Sequence, residues 1–82
     1  MYFVYAIYNK KSDKIYIGQT SDLHKRLSEH QAKKGNHFTA KFDGVWELIY
    51  EEEVQTRSEA LLREKQLKSY RGREYIKQYI PR

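Results

Sequence analysis

The chain contains no cysteine, a single proline and only four glycines in 82 residues. Without cysteine, neither a disulfide nor a thiolate-held metal can support the fold, and a reducing compartment is compatible. The lone proline is Pro81, so no ring interrupts an element upstream of it. Internal repeats, low-complexity tracts and linkers are all absent from the sequence, so residues 1–82 are expected to form one domain. No apolar run approaches the length needed to span a bilayer. The N-terminal apolar stretch carries tyrosines and lacks both a basic n-region and a small-residue cleavage site. The expectation is a cytoplasmic protein with no membrane partner and no required protein partner. Acidic residues are also short: 11 Asp and Glu against 16 Lys and Arg leave a net charge of +5. Such an excess favours an anionic partner such as a phosphate backbone, although plain solubility uses the same charges.

What the chain does have is tyrosine, eight of them. Tyr2 to Tyr8, "YFVYAIY", is aromatic and β-branched and reads as a strand. Residues 9–13 read as a turn and Ile15 to Gly18, "IYIG", as the partner strand of a hairpin. A turn centred near Lys10 and Lys11 would put Tyr5 roughly opposite Tyr16, with both phenols on one face. Ser21 or Asp22 can cap a helix reaching about Lys34, with Leu23 and Leu27 as its apolar edge. The segment "KKGNHFTAKFDG" reads as a long basic loop, and Val45 to Tyr50 as a third strand. Thr56 and Glu59 have capping-box spacing and should open a helix ending near Ser69. A last helix is expected from Gly72 to about Ile80. The order β-β-α-β-α-α predicts an α/β fold, a three-stranded antiparallel sheet flanked by helices.

The helix faces contain misplaced polar residues. At about 100° per residue, His30 falls between Leu23 and Leu27, and Arg26 lies beside them. On the next helix Glu64 sits inside the stripe formed by Ala60, Leu61 and Leu67. A carboxylate in such a place pays several kcal/mol of desolvation unless a partner or ion compensates. An internal Arg26–Glu64 ion pair with a satisfied core histidine would account for this pattern; so would a reactive site, since such breaks in patterning collect at functional positions. His24, His30 and His37 do not have the spacing of a zinc site. Lys33, Lys34, Lys41, Arg63, Lys68, Arg71, Arg73 and Lys77 could together line a phosphate track, though any one of them is as well used as a solvated surface charge. Phe38 and Tyr70 could stack on bases or pack in the core.

Taken together, "VYA" at Tyr5, "YIG" at Tyr16 to Gly18, "HKRLSEH" from His24 to His30 and "ALLREKQLKS" from Ala60 to Ser69 resemble the GIY-YIG nuclease superfamily, in particular its small stand-alone bacterial members. The resemblance runs through nearly the whole chain in order and spacing. It implies phosphodiester cleavage with one divalent cation, Mg²⁺ or Mn²⁺. Tyr5, Tyr16, Arg26 and His30 would be the catalytic residues, Glu64 the metal ligand and Gly18 the glycine of the second motif. Tyr5 is the expected base or water-positioner, its phenol lowered by Arg26 and the metal, with Tyr16 as its partner and His30 orienting the attacker or relaying a proton. Tyr2 and Tyr8 are expected to be structural. The first motif, Phe3-Val4-Tyr5, lacks its leading glycine, and the tail offers only Gln78 where larger members carry an asparagine. The resulting expectation is a metal-dependent nuclease acting on DNA rather than RNA, single-stranded and branched forms included. The alternative is a nucleic-acid-binding module that keeps the fold without useful catalysis.

Overall fold

The structure, a computed structural model, describes residues 1–33 and 37–81. The described residues form strands β1 (Tyr2–Asn9), β2 (Lys14–Thr20) and β3 (Trp46–Val54), and helices α1 (Leu23–Gln31), α2 (His37–Ala40), α3 (Arg57–Lys68) and α4 (Tyr70–Lys77). The sheet is antiparallel in the order β2-β1-β3, so the most apolar strand is central. From Val4 to Asn9 every β1 residue is buried, as expected of a strand covered on both faces.

The hairpin register differs from the sequence expectation by two residues. Tyr5 pairs with Gly18, and Tyr16 pairs with Ile7. The turn is centred later, with Asp13 in the left-handed region at φ 56°. The buried Asn9 side chain accepts from the Ser12 amide at 3.1 Å and donates to the Asp43 carbonyl at 2.9 Å. Because side chains alternate with period two, a shift of two keeps both tyrosines on one face. They meet diagonally rather than directly opposite.

That face carries Tyr5, Ile7 and Trp46, packed with Tyr16, Leu23, Leu27, Phe42 and Leu48 under α1. The other carries Val4, Ala6 and Ile17 under Ala60 and Leu67 of α3 and Ile76 of α4. The sheet is thus sandwiched between two helical layers.

Several element boundaries move. Asp22 caps α1 by accepting from the Lys25 amide at 3.1 Å. The helix stops at Gln31 rather than near Lys34, because Lys33 turns into the left-handed region at φ 62°. Part of the expected loop is the short helix α2, held when the Trp46 indole N–H donates to the Thr39 carbonyl at 3.2 Å. Strand β3 starts after the exposed Val45 and runs on through the three glutamates Glu51 to Glu53. Pairing with β1 overrides their low strand propensity. The capping box of α3 is present as expected, with Thr56 and Glu59 satisfying each other's backbone amides at 3.1 Å. Helix α4 starts at Tyr70, ahead of Gly72, because Ser69 caps it by accepting the Gly72 amide at 3.2 Å.

Candidate active site

The side chains gathered around Tyr5 come from three elements. Tyr5 is fully buried on β1, and its hydroxyl lies 2.8 Å from Nε2 of the equally buried His30 on α1. The second imidazole nitrogen, Nδ1, lies 3.0 Å from Thr39 Oγ1 of α2, also fully buried. The half-buried Tyr16 ring on β2 sits 5.0 Å from the imidazole and 6.4 Å from the Tyr5 ring, centroid to centroid. Across from Tyr5, Gly18 leaves room for the phenol. A Cβ there would stand 2.8 Å from the Tyr5 hydroxyl and 3.0 Å from the Tyr16 ring. Here the glycine serves close approach rather than an unusual backbone angle.

Arg26 reaches the same group from α1. It hydrogen-bonds the Tyr5 side chain and donates from Nη1 to Glu29 Oε1 at 3.0 Å. Burial pulls the guanidinium pKa down, but Glu29 and Tyr5 more than offset this, so the group is held firmly charged. Beside it a hollow of about 350 Å³, bordered by Gln19, Thr20, Ser21, Lys25 and Arg26 together with the carboxylates of Asp22 and Glu29, opens to solvent.

Burial pushes the Tyr5 phenol up to about 12, against the downward pull of Arg26. Arg26 acts in the expected direction on this phenol, but desolvation by burial outweighs that one cation. Burial, assisted by Arg26, brings His30 down to about 4, so the imidazole is neutral at pH 7. In a neutral imidazole one ring nitrogen donates and the other accepts, so Tyr5 and Thr39 together satisfy both nitrogens of His30.

Glu64 stands on α3, the helix lying over β2 and β1 from the opposite layer, and its charge is felt at the Tyr5 hydroxyl. Its half-buried carboxylate accepts from Lys68 Nζ at 2.6 Å. The ion pairs thus run within helices, Arg26 to Glu29 and Glu64 to Lys68. Among the described residues, no group of three or more His, Cys, Asp or Glu side chains converges as a metal cage. Glu64, the expected metal ligand, is thus ion-paired with Lys68 in this structure.

The basic residues expected to track phosphate divide by geometry. Lys33 donates to the Phe42 and Gly44 carbonyls at 2.8 and 2.9 Å, closing the α1–β3 connection. Arg63 is bound to Glu52 at 3.0 Å, beneath Tyr50 on the face away from Tyr5. Lys68 is on Glu64, and Arg73 Nε donates to the Lys68 carbonyl at 3.1 Å. Lys41 and Arg71 are exposed, and Lys34 lies outside the described residues. Gln78 donates to the Tyr75 carbonyl at 3.0 Å and caps α4 rather than joining the site. Tyr2 packs on the α3 face and Tyr8 donates to Asp13 at 2.8 Å, both structural as expected.

Two side chains of the site escaped the sequence reading. Thr39 lay in a segment taken for loop, and nothing local marks it. Glu29 was legible as the residue three positions after Arg26 on one helix face.

The model of the GIY-YIG catalytic domain matches residues 1–79. The chain belongs to the GIY-YIG family. Its relatives include UPF0213 proteins from Staphylococcus epidermidis, 36% identical over 93% of this chain and 90% of that protein, and from Haloquadratum walsbyi, 38% identical over 84% and 75%. A UPF0213 protein of Staphylococcus aureus is 37% identical over 84% of this chain and 82% of its own length. No solved structure matches. The family is generally one of nucleases, so this GIY-YIG protein has a nuclease fold. Among the described residues, no helix is long and apolar enough to cross a membrane.

Proposed function

We propose that this GIY-YIG protein is a divalent-metal-dependent phosphodiesterase that hydrolyses nucleic-acid backbones, DNA ahead of RNA. The observation that carries this reading is the contact of Tyr5 with His30 and Arg26 opposite a residue without a Cβ, beside a solvent-open hollow. In hydrolysis, water attacks phosphorus, the bond from phosphorus to one ester oxygen breaks, and that oxygen takes up a proton. Arg26, kept charged and aimed by Glu29, donates to the non-bridging phosphoryl oxygens, where charge grows in the transition state. Tyr5 keeps its proton and orients the site through His30, while Thr39 holds the imidazole in one tautomer. Tyr16, the less buried phenol, is the one that reaches the attacking water. Mg²⁺ or Mn²⁺ on Glu64 would supply Lewis-acid stabilisation of the phosphate and the leaving oxygen.

The test is cleavage of end-labelled DNA with Mg²⁺, with Mn²⁺ and with EDTA. The wild-type protein should cut only with a divalent ion. Arg26→Ala should lose about 10²–10³-fold in rate, and Glu64→Gln should reduce cutting to background. Cleavage that persists in EDTA or in Glu64→Gln would remove the metal assignment. One observation favours a binding role without turnover, namely the Lys68 ammonium seated on Glu64. DNA retained in EDTA and left intact in both ions would establish that reading instead.

A further inference from the structure

We infer that a second cleft, outside the Tyr5 cluster, binds the flanking stretch of a single-stranded nucleic acid. The proposal rests on the nuclease reading and adds the strand form that the site accepts. The cleft measures about 780 Å³ and runs between α2 and α4 past the first residues of the edge strand β2. Two aromatic rings line it: Tyr70 is 79% exposed, and Phe38, packed against the Tyr16, Phe42 and Trp46 rings, keeps 39% of its surface exposed. Tyr70 is the first residue of α4, and its exposed ring is spared from the core. Phe38 is stacked on Tyr16 at 5.8 Å with an interplanar angle of 29°. It therefore links the cleft to the reactive cluster through one ring contact.

Lys14, Arg73 and Lys77 line the same cleft. Two carboxylates oppose them: Glu74 binds Lys77 at 2.8 Å, and Asp13 accepts from Tyr8. The lining thus keeps a small positive excess, with Lys14 exposed on the edge strand. Open aromatic faces with interspersed cations are the arrangement that binds unpaired bases and their phosphates. Paired bases in a duplex present no free face to Tyr70 or Phe38, so the cleft selects single strands.

Binding is measured in EDTA by fluorescence anisotropy, with a labelled oligothymidylate and a duplex of equal length. This isolates affinity from cleavage. Tyr70→Ala and Lys14→Ala change exposed side chains that the core does not use. Tyr70→Ala should weaken single-strand binding about tenfold and leave the duplex nearly unchanged. Lys14→Ala should flatten the salt slope for the single strand by about 0.7. Wild-type affinity in both variants, or an equal loss for single strand and duplex, would overturn the proposal. So would a wild-type dimer in sedimentation equilibrium that Tyr70→Ala dissolves, because the cleft would then be filled by a second copy. If the oligonucleotide binds as expected but no ion supports cleavage, the nuclease reading fails and the cleft assignment stands.

Discussion

At the scale of single residues, the chemistry of the site is set by how completely its polar groups are buried. His30 is fully enclosed and neutral, with a pKa near 4 against an ordinary value of 6.5. The charged groups that bear on it are Arg26, which lowers it, and Glu29, which raises it. Between those two pKa values the unfolded chain binds more protons than the folded one, so stability falls as the solution is acidified. The wild-type protein should lose about 3 kcal/mol of unfolding free energy from this group between pH 7 and pH 4. His30→Gln should lack that component, which urea denaturation of both proteins across the range will show. Gly18 is the other decisive residue. A methyl group there would collide with a phenol that is itself pinned to His30. Gly18→Ala should cost about 1–3 kcal/mol and separate Tyr5 from His30, visible as a lowered Tm and reduced cleavage.

At the scale of elements, the candidate site residues on the helices owe their positions to local devices. The Asp22 cap fixes where α1 begins and therefore which of its faces presents Arg26 and His30 to the sheet. The capping box does the same for α3 and Glu64. Between α3 and α4 the chain turns so tightly that a Cβ on Gly72 would lie 2.3 Å from the Gln66 carbonyl oxygen and 2.5 Å from the Leu67 Cα. Both are backbone atoms, which cannot rotate aside. Gly72→Ala should cost about 3 kcal/mol by prising Ile76 off Leu67, read from chemical denaturation. Cleavage per folded molecule should remain, since Glu64 lies on the helix before the joint. The Asp22 cap and the capping box were legible in sequence, whereas the Ser69 cap and the tight joint at Gly72 were not. Helix α2 was not legible, because it is held through Thr39 by Trp46 and His30, residues of neighbouring elements.

At the scale of the whole molecule, the sheet separates two helical layers, and the candidate site residues are drawn from both. Tyr5, Tyr16, Arg26 and His30 belong to the α1 side, and Glu64 to the α3 side. The net charge of +5 acts over longer distances than any of these contacts. Association with single strands should therefore weaken steeply with salt, as log affinity against log salt with a slope of about −0.7 for each phosphate neutralised. Titrations at several sodium chloride concentrations measure the slope directly. A flat response would mean that the excess charge serves solubility alone.

The sequence by itself determined the order of the strands and of helices α1, α3 and α4, the caps of α1 and α3, and the polar residues that break the apolar stripes, because these follow from local propensity and periodicity. It also determined that both tyrosines share a face, since a two-residue shift in pairing preserves alternation. Only the tertiary structure decided the hairpin register, the enclosure of Tyr5 and His30, and the ion pairs that Arg26 and Glu64 make within their own helices. The reason is desolvation. Whether a phenol between an arginine and a histidine ends below its ordinary pKa or at about 12 depends on how much water surrounds it, and that is set by chains folding over one another rather than by neighbours in sequence.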